Sequence, residues 1–397
     1  MKKILVLNGS FCEKPIIIKA KEMGYYVVTT GNAPDLIGHK YSDEYIPCDY
    51  SDKEKILELV KEHKIEGIVS CANDFGVLTA AYVAEKMGWK GHDKYETAKL
   101  IHHKNKFKEY CLKNDIPSPH SVSFDNEKDT VEFCKTAEYP IIVKANDLTG
   151  GKGINRANNF EEAENAVKTA FKMSRDKHIL VEPFLIGVQE SIDLFVVNKK
   201  IVATSGCTAY SQKNPYLIQC ETFPPIGFSD IIPELHEIAY RIINDLDLAD
   251  GIIALQYIKK DGHPYIIEMM RRCFGNEALL LSDMITGFPW EEAYIRAALG
   301  LDCTGITAEK PPMKYCGHFG IMADCNGVVH GYSIDSEIKK HIFKITEMVQ
   351  PGGRINNYLN ERIAYIYYQY DDIYEMNNEV VTFNDRIKID ITPEEQA

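Results

Sequence analysis

No stretch of this chain approaches the ~20 consecutive apolar residues that a membrane helix needs, so no membrane partner is expected. Closely spaced cysteines are missing too. The 11 cysteines are scattered without a Cys-x-x-Cys pair, which argues for reduced thiols in a cytoplasmic protein and against a disulfide framework or a zinc site. Positive charge is in deficit, with 45 Lys and Arg against 58 Asp and Glu and a formal net charge of -13. That balance argues against a nucleic-acid partner, while a local basic pocket remains compatible with it. Two nucleotide fingerprints are absent. The first turn, Asn8-Gly9-Ser10-Phe11, has no Gly-x-Gly-x-x-Gly. The lysine of "TGGKGI" is followed by Gly153 rather than Ser or Thr, and its glycines sit too close for a Walker A loop. The start, MKKILVLNGS, is too short in apolar residues for a secretion signal and reads as a β-strand.

What is present is a chain of 397 residues, 45% hydrophobic, enough for two or three packed domains. Strand-like and helix-like segments alternate over residues 1–95, which predicts a small doubly wound domain on a parallel sheet. A helix is expected over 95–114, and "NDIPSPHSV" breaks it. Next come a helix at 126–137, the strand "YPIIVKA", a glycine loop, a helix at 160–174, and the strand "HILVEPF" with further strands to about 209. The tract 210–233, rich in Pro, Gly and aromatics, reads as irregular, followed by a helix at 234–247. "GIIALQYIKK" and "PYIIEMM" read as a hairpin turning at Asp261-Gly262. "FPWEEAYIRAALG" is a short helix, and 304–397 reads as a small, mostly β domain.

Three segments carry candidate chemistry. Lys144 ends an apolar strand, and Lys152 sits in a loop with Gly150, Gly151 and Gly153. Two ammonium groups and bare amides suit a polyphosphate, although a solvated surface hairpin would look the same. In "ILVEPFLIGVQESIDLF", the segment between strands can present backbone groups to a flat base, and Glu182 or Glu190 can accept from ribose hydroxyls. Either glutamate can equally be a strand-edge residue. In the hairpin, alternation sets Glu268 opposite in facing to Ile267 and Met269. A carboxylate in so apolar a strand needs a cation. Gln256 can lie across from it, the pair suits Mg²⁺ with phosphate oxygens, and Arg271 and Arg272 follow. An internal Glu–Arg pair closing the hairpin is the alternative.

The order Lys104, Lys144, GGKG, Glu182, Glu190, Gln256, Glu268, Arg272 resembles the ATP-grasp superfamily of carboxylate–amine ligases over about residues 1–300. "HHKNKFKEYCLKNDIPSP", "YPIIVKANDLTGGKGI", "VEPFLIGVQES" and "GHPYIIEMMRRCFGN" carry the likeness. The resemblance implies an N-terminal α/β domain (1–95), an α+β ATP-grasp domain (96–303) with a mobile lid at about 120–184, and a mostly β C-terminal domain (304–397). It implies ATP and Mg²⁺, or Mn²⁺ in its place. Lys104 and Lys144 would contact phosphates and adenine, with Gly150, Gly151 and Gly153 closing the loop over the β- and γ-phosphates. Glu182 and Leu185 would hold adenine, Glu190 the ribose, and Gln256 and Glu268 the metal. Lys152, Arg272 and Arg271 would be catalytic. The chain departs from the pattern at Gln256, where an acid is usual, and at Met270, where Asn is usual. Asn276 is a substitute oxygen. The implied reaction activates a small carboxylate as an acylphosphate for an amine, releasing ADP and phosphate, in a homodimer. The alternatives are a purine-biosynthetic ribonucleotide synthase or carboxylase of the same superfamily, and a nucleotide-binding regulatory or scaffold protein without turnover. The tract 205–225, with Arg271, is expected to line the acceptor pocket. His318, His330 and His341 read as surface or packing residues.

Overall fold

The computed structural model describes residues 1–70, 72–148, 151–312 and 315–394. In chain order the elements begin with β1 (Lys3–Leu7), α1 (Lys14–Glu22), β2 (Tyr26–Gly31), β3 (Glu44–Pro47), α2 (Lys53–Glu62), β4 (Ile68–Val69) and α3 (Asp74–Met87). Their strands form a parallel sheet in the order β3-β2-β1-β4. Its strands are short apolar runs because helices cover both faces. The predicted doubly wound unit is therefore present. Asn73 caps α3 by accepting from the Phe75 N–H, which fixes Asp74 in the helix's first turn.

The expected helix over 95–114 is two helices, α4 (Tyr95–His102) and α5 (Lys104–Lys113), with an extended His103 between them. The break turns the chain so that Lys104 opens a new helix. A second sheet, antiparallel and ordered β5-β8-β6-β7, contains β5 (Val122–Phe124), β6 (Ile141–Ala145), β7 (Ile154–Ala157) and β8 (Ile179–Pro183). Helices α6 (Glu127–Cys134) and α7 (Phe160–Met173) cover one face. In α7 the Asn159 side chain accepts from the Glu162 N–H, and Ala163, Ala166, Val167, Ala170 and Phe171 give a buried stripe at helical spacing. Strand β6 sends Ile141 and Val143 into that core. Its alternate residues, Ile142 and Lys144, face the other way.

The largest sheet has eight strands in the order β13-β12-β9-β10-β11-β14-β18-β16. Its members β9 (Val188–Val197), β10 (Lys200–Tyr210), β11 (Cys220–Phe223), β12 (Gly251–Lys260) and β13 (His263–Met270) precede the helices α9 (Ala278–Thr286) and α10 (Trp290–Ala298). Helix α8 (Phe228–Asp245) lies on one face, where its Ile231, Leu235, Ile238 and Ile242 meet Ile192, Leu194 and Val196 of β9. The tract read as irregular thus contains β11 and the first turns of α8. Pro233 lies inside the helix's second turn rather than before its start. The four residues of β11 take their ladder bonds from β10 and β14, which local sequence could not reveal.

Past residue 304 the chain is mostly strand: β14 (Tyr315–Ile321), β15 (Gly327–Ile334), α11 (Ser336–Lys339), β16 (Ile342–Glu347), β17 (Arg354–Ile355), β18 (Ala364–Tyr370), α12 (Ile373–Val380), α13 (Phe383–Arg386) and β19 (Ile387–Pro393). β14, β18 and β16 extend the large sheet, while β17-β15-β19 form a small sheet. The seam between β11 and β14 is tight at Gly317. A Cβ there would lie 2.3 Å from the Glu221 carbonyl oxygen and 2.5 Å from the Tyr368 hydroxyl. Gly317→Ala is expected to lower stability by about 1–3 kcal/mol, read as a fall in the urea midpoint.

Candidate functional site

The three units meet around one cavity of about 670 Å³. The β5-β8-β6-β7 sheet, which spans the segment expected as a lid, contributes Ile142, Lys144, Ile154, Arg156 and Glu182, and the connection to β9 contributes Pro183, Phe184 and Leu185. The large sheet contributes the face opposite α8. On β9 that face carries Gln189, Ser191 and Asp193, and on β12 it carries Ala254, Gln256 and Ile258. The N-terminal unit adds Asn73 and Asp74.

At the lid end, Glu182 is almost fully buried. Its carboxylate meets Lys144 Nζ at 2.6 Å and Lys108 Nζ at 3.7 Å, and accepts from the Ser121 hydroxyl. Burial by itself raises a carboxyl pKa, but Lys108 and Lys144 overcome it and hold Glu182 down at about 2. Burial pushes Lys108 down to about 8 against the attraction of Glu182. With its carboxylate so committed, Glu182 offers a ligand only its backbone. Among the described residues no acceptor is recorded for the neighbouring Leu185 N–H, whereas the Phe184 N–H donates to the Pro140 carbonyl.

At the hairpin, Gln256 and Glu268 are register partners, as the sequence suggested. A bulge after Gln256 pairs Tyr257 with Ile266, so the extra residue, Ile267, also faces the cavity instead of opposing Glu268. Met269 turns into the core as expected. Lys104 stands between hairpin and lid, donating to the Leu148 carbonyl at 2.7 Å and lying 3.9 Å from Glu268. Met270 and Asn276 also line the wall. No group of three or more His, Cys, Asp or Glu is placed to hold a metal ion among the described residues. Two adjacent oxygen donors without a cage suit Mg²⁺, which keeps waters and takes phosphate oxygens.

Arg272 reaches the cavity and pairs with Asp74 at 2.6 Å, and His102 meets the same carboxylate oxygen at 3.2 Å. Burial opposes ionisation of Asp74, but Arg272 and His102 hold its carboxyl far below the usual range. The N-terminal unit therefore aims this arginine.

Three expected site side chains, those of Arg271, Glu190 and Lys152, lie elsewhere. Arg271, next in sequence to Arg272 and so on the other side of the strand end, points away from the cavity. It pairs with Asp93 at 2.7 Å and donates to the Ile252 and Ala249 carbonyls. It is a buried brace and does not line this cavity. Glu190 faces the α8 side, where it accepts from the Tyr257 hydroxyl at 2.8 Å and pairs with Lys259. Gln189 holds the corresponding place on the cavity wall. Gly187 sets this register: a Cβ there would meet the Lys259 carbonyl oxygen at 2.5 Å, so only glycine lets β9 start so close to β12. Lys152 is exposed and off the cavity wall. Gly150 lies outside the described residues. Gly151 and Gly153 adopt positive φ, and Gly151 packs on Tyr216, where a Cβ would meet the Tyr216 carbonyl oxygen at 2.2 Å. The Tyr216 hydroxyl in turn accepts from the Arg156 N–H at 2.7 Å.

Away from the hinge the cavity holds residues that sequence reading missed. Asp193 and Glu221 face it, as do Cys207 and Arg362. His318, expected at the surface or in packing, is fully buried and meets Glu221 at 2.6 Å across the β11–β14 seam. His330 meets the Thr392 hydroxyl, and His341 stacks on Tyr370 at 3.8 Å, both as packing. Most of the tract 205–225 that touches the cavity does so through Cys207, Ser211, Pro215–Ile218, Glu221 and Phe223. The charge of Asp193 within "SIDLFVV" was available as a signal of the kind that singled out Glu268. Nothing local marked Arg362.

Residues 103–304 match the family model described as the carbamoyl-phosphate synthase L chain ATP-binding domain, half of the chain. The chain belongs to this ATP-grasp family. Enzymes of this family are carbon–nitrogen ligases, and ATP with Mg²⁺ is the cofactor the family uses. Solved structures share the fold over nearly the full ATP-grasp chain. An L-amino acid ligase from Bacillus licheniformis is 18% identical over 99% of both chains, with a TM-score of 0.82. A phosphoribosylglycinamide synthetase from Anaerococcus prevotii is 21% identical, with 98% of this chain and 100% of that one covered and a TM-score of 0.76. The biotin carboxylase domain dimer of a Hydrogenobacter thermophilus 2-oxoglutarate carboxylase, in complex with MgADP, is 19% identical over 98% of this chain and 91% of that one, with a TM-score of 0.76.

Two expectations test the electrostatics. Glu182→Gln strands Lys108 and Lys144 and should cost roughly 3–5 kcal/mol at neutral pH, seen in urea unfolding. Burial, then Glu221, raises the Asp193 carboxyl from 3.8 to about 8. Between those values the native chain keeps a proton that the unfolded chain releases, so stability falls as pH rises. Asp193→Asn should match the wild type below pH ~4 and exceed it by a few kcal/mol above pH ~8 in thermal unfolding.

Proposed function

We propose that the protein activates a small carboxylate as an acylphosphate and joins it to an amine, releasing ADP and phosphate. One observation carries this reading. Gln256 and Glu268 sit side by side on one wall of a cavity whose other walls carry Lys104, Lys144 and Arg272. Oxygen donors for a hard cation and fixed cations for phosphates thus converge from the large sheet, the β5-β8-β6-β7 sheet and helix α5.

The metal-bound nucleotide, when present, supplies the phosphoryl group. Apolar side chains of the lid and hairpin, Ile142, Ile154, Ile258 and Ile267, form a slot for the base, with the Leu185 N–H at its hinge edge. Lys144, tethered by Glu182, and Lys104, tethered by Leu148, face the phosphates. Glu268 and Gln256 hold the cation. Arg272 neutralises charge at the transferring group and is kept in place by Asp74, so no reorganisation is needed as charge develops. Gly151 and Gly153 let the lid backbone approach closely and exclude water, which matters because an acylphosphate hydrolyses. Lys152, exposed here, would join only on further closure.

Gln256 and Met270 favour a second reading, a nucleotide-binding protein without turnover, since each replaces a better metal ligand with a poorer one. ADP release across a panel of carboxylates paired with amines separates the two. Turnover is expected, and Arg272→Ala should lower kcat by about 10²-fold or more with ATP binding largely kept. Nucleotide binding with no carboxylate-dependent ADP release would leave the second reading standing.

A further inference from the structure

Arg362 enters the cavity just before β18. Two of its N–H groups donate to neutral carbonyls, those of Asn360 at 2.9 Å and Ile218 at 2.7 Å. Its Nε is buried and has no hydrogen-bond partner, and among the described residues no carboxylate pairs with it. A shielded guanidinium without a counter-charge is costly unless a ligand brings one.

On the same wall the imbalance has the opposite sign. Glu221 has one strong partner, His318, and a weak one in the Cys207 thiol at 3.5 Å. Asp193, buried beside it, receives only a long 3.4 Å contact from Ser191. The Nδ1 of His318 is buried and unpartnered. Among the described residues Glu221 has no Lys or Arg beside it, as Arg362 has no anion. The ring of Tyr365 stands between them, 5.8 Å from the Arg362 guanidinium and 5.7 Å, edge-on, from His318.

We propose that this end of the cavity binds an amino acid as the amine substrate, its carboxylate on Arg362 and its amine on Glu221. The proposal rests on the carboxylate–amine ligase reading and adds the acceptor's class to it. The carboxylate on Arg362 is not the one activated, because the groups that serve phosphoryl transfer, Glu268 and Arg272, belong to the other part of the site. In the joining step the ammonium first gives a proton to the Glu221 carboxylate. The freed lone pair of nitrogen forms the C–N bond to the acyl carbon. The carbon–oxygen bond to phosphate breaks, phosphate leaves with that bond's electron pair, and the second proton of nitrogen passes to the departing phosphate, which leaves a neutral amide. His318, hydrogen-bonded to Glu221, is a positioning residue.

The test is calorimetry on the full chain saturated with Mg·ADP, titrated with each of the 20 common L-amino acids and β-alanine, and with the carboxamide of each that binds. At least one amino acid should bind, and its amide should bind about 30-fold or more weakly, the worth of a charge-assisted hydrogen-bonded pair. Arg362→Gln should bring acid and amide within a few-fold of each other, a ratio that general destabilisation would not move. Should that variant not fold, the wild-type ratio decides. Mg·ADP binding with no amino acid bound, or equal affinity for acid and amide, overturns the proposal and leaves the ligase reading intact. Failure to bind Mg·ADP overturns both.

Discussion

The carboxylate of Glu182 is the point on which the site's geometry depends. It is buried on the lid strand β8, yet its partners come from β6 and from α5, so one anion ties Lys144 and Lys108 to a common place. Neither lysine could be brought so far from water without it. The arrangement spaces positive charge along the lid wall before any nucleotide arrives. It also frees the hinge to use its backbone, since the side chain that leads into it is already spoken for.

The second organising constraint is the alternation of β9 and β12. Even-numbered residues of β9 build the core under α8; of the odd-numbered ones, Gln189, Ser191 and Asp193 build the cavity wall, while Phe195 and Val197 pack in a second core. Every polar group on that wall is therefore exposed to ligand by the same rule that packs the core. The bulge at Ile267 is the one local exception in the hairpin, and it widens the apolar slot without displacing Glu268 from Gln256.

Much of this was legible in the sequence where the cause is local. The α/β alternation, the Asp261-Gly262 hairpin, the pairing of Gln256 with Glu268 and the strand that carries Lys144 all follow from periodicity and turn chemistry. The facing of Glu190 did not follow, because it hangs on where β9 begins, and Gly187 sets that start through a close approach to a strand 70 residues away. Arg271 and Arg272 are neighbours in sequence but their side chains part, and their partners Asp93 and Asp74 lie 178 and 198 residues off. Short β11 was hidden because its bonds belong to β10 and β14. Arg362 and His318 share that difficulty: each acquires meaning only from the sheet that carries it to the wall.

Tyr216 lies against Gly151 through its carbonyl and against the Arg156 N–H through its hydroxyl, while its own segment, Pro215 to Ile218, walls the cavity. One residue thus touches the glycine loop and the cavity wall alike, so a displacement of the loop would either break that packing or carry residues 215–218 with it.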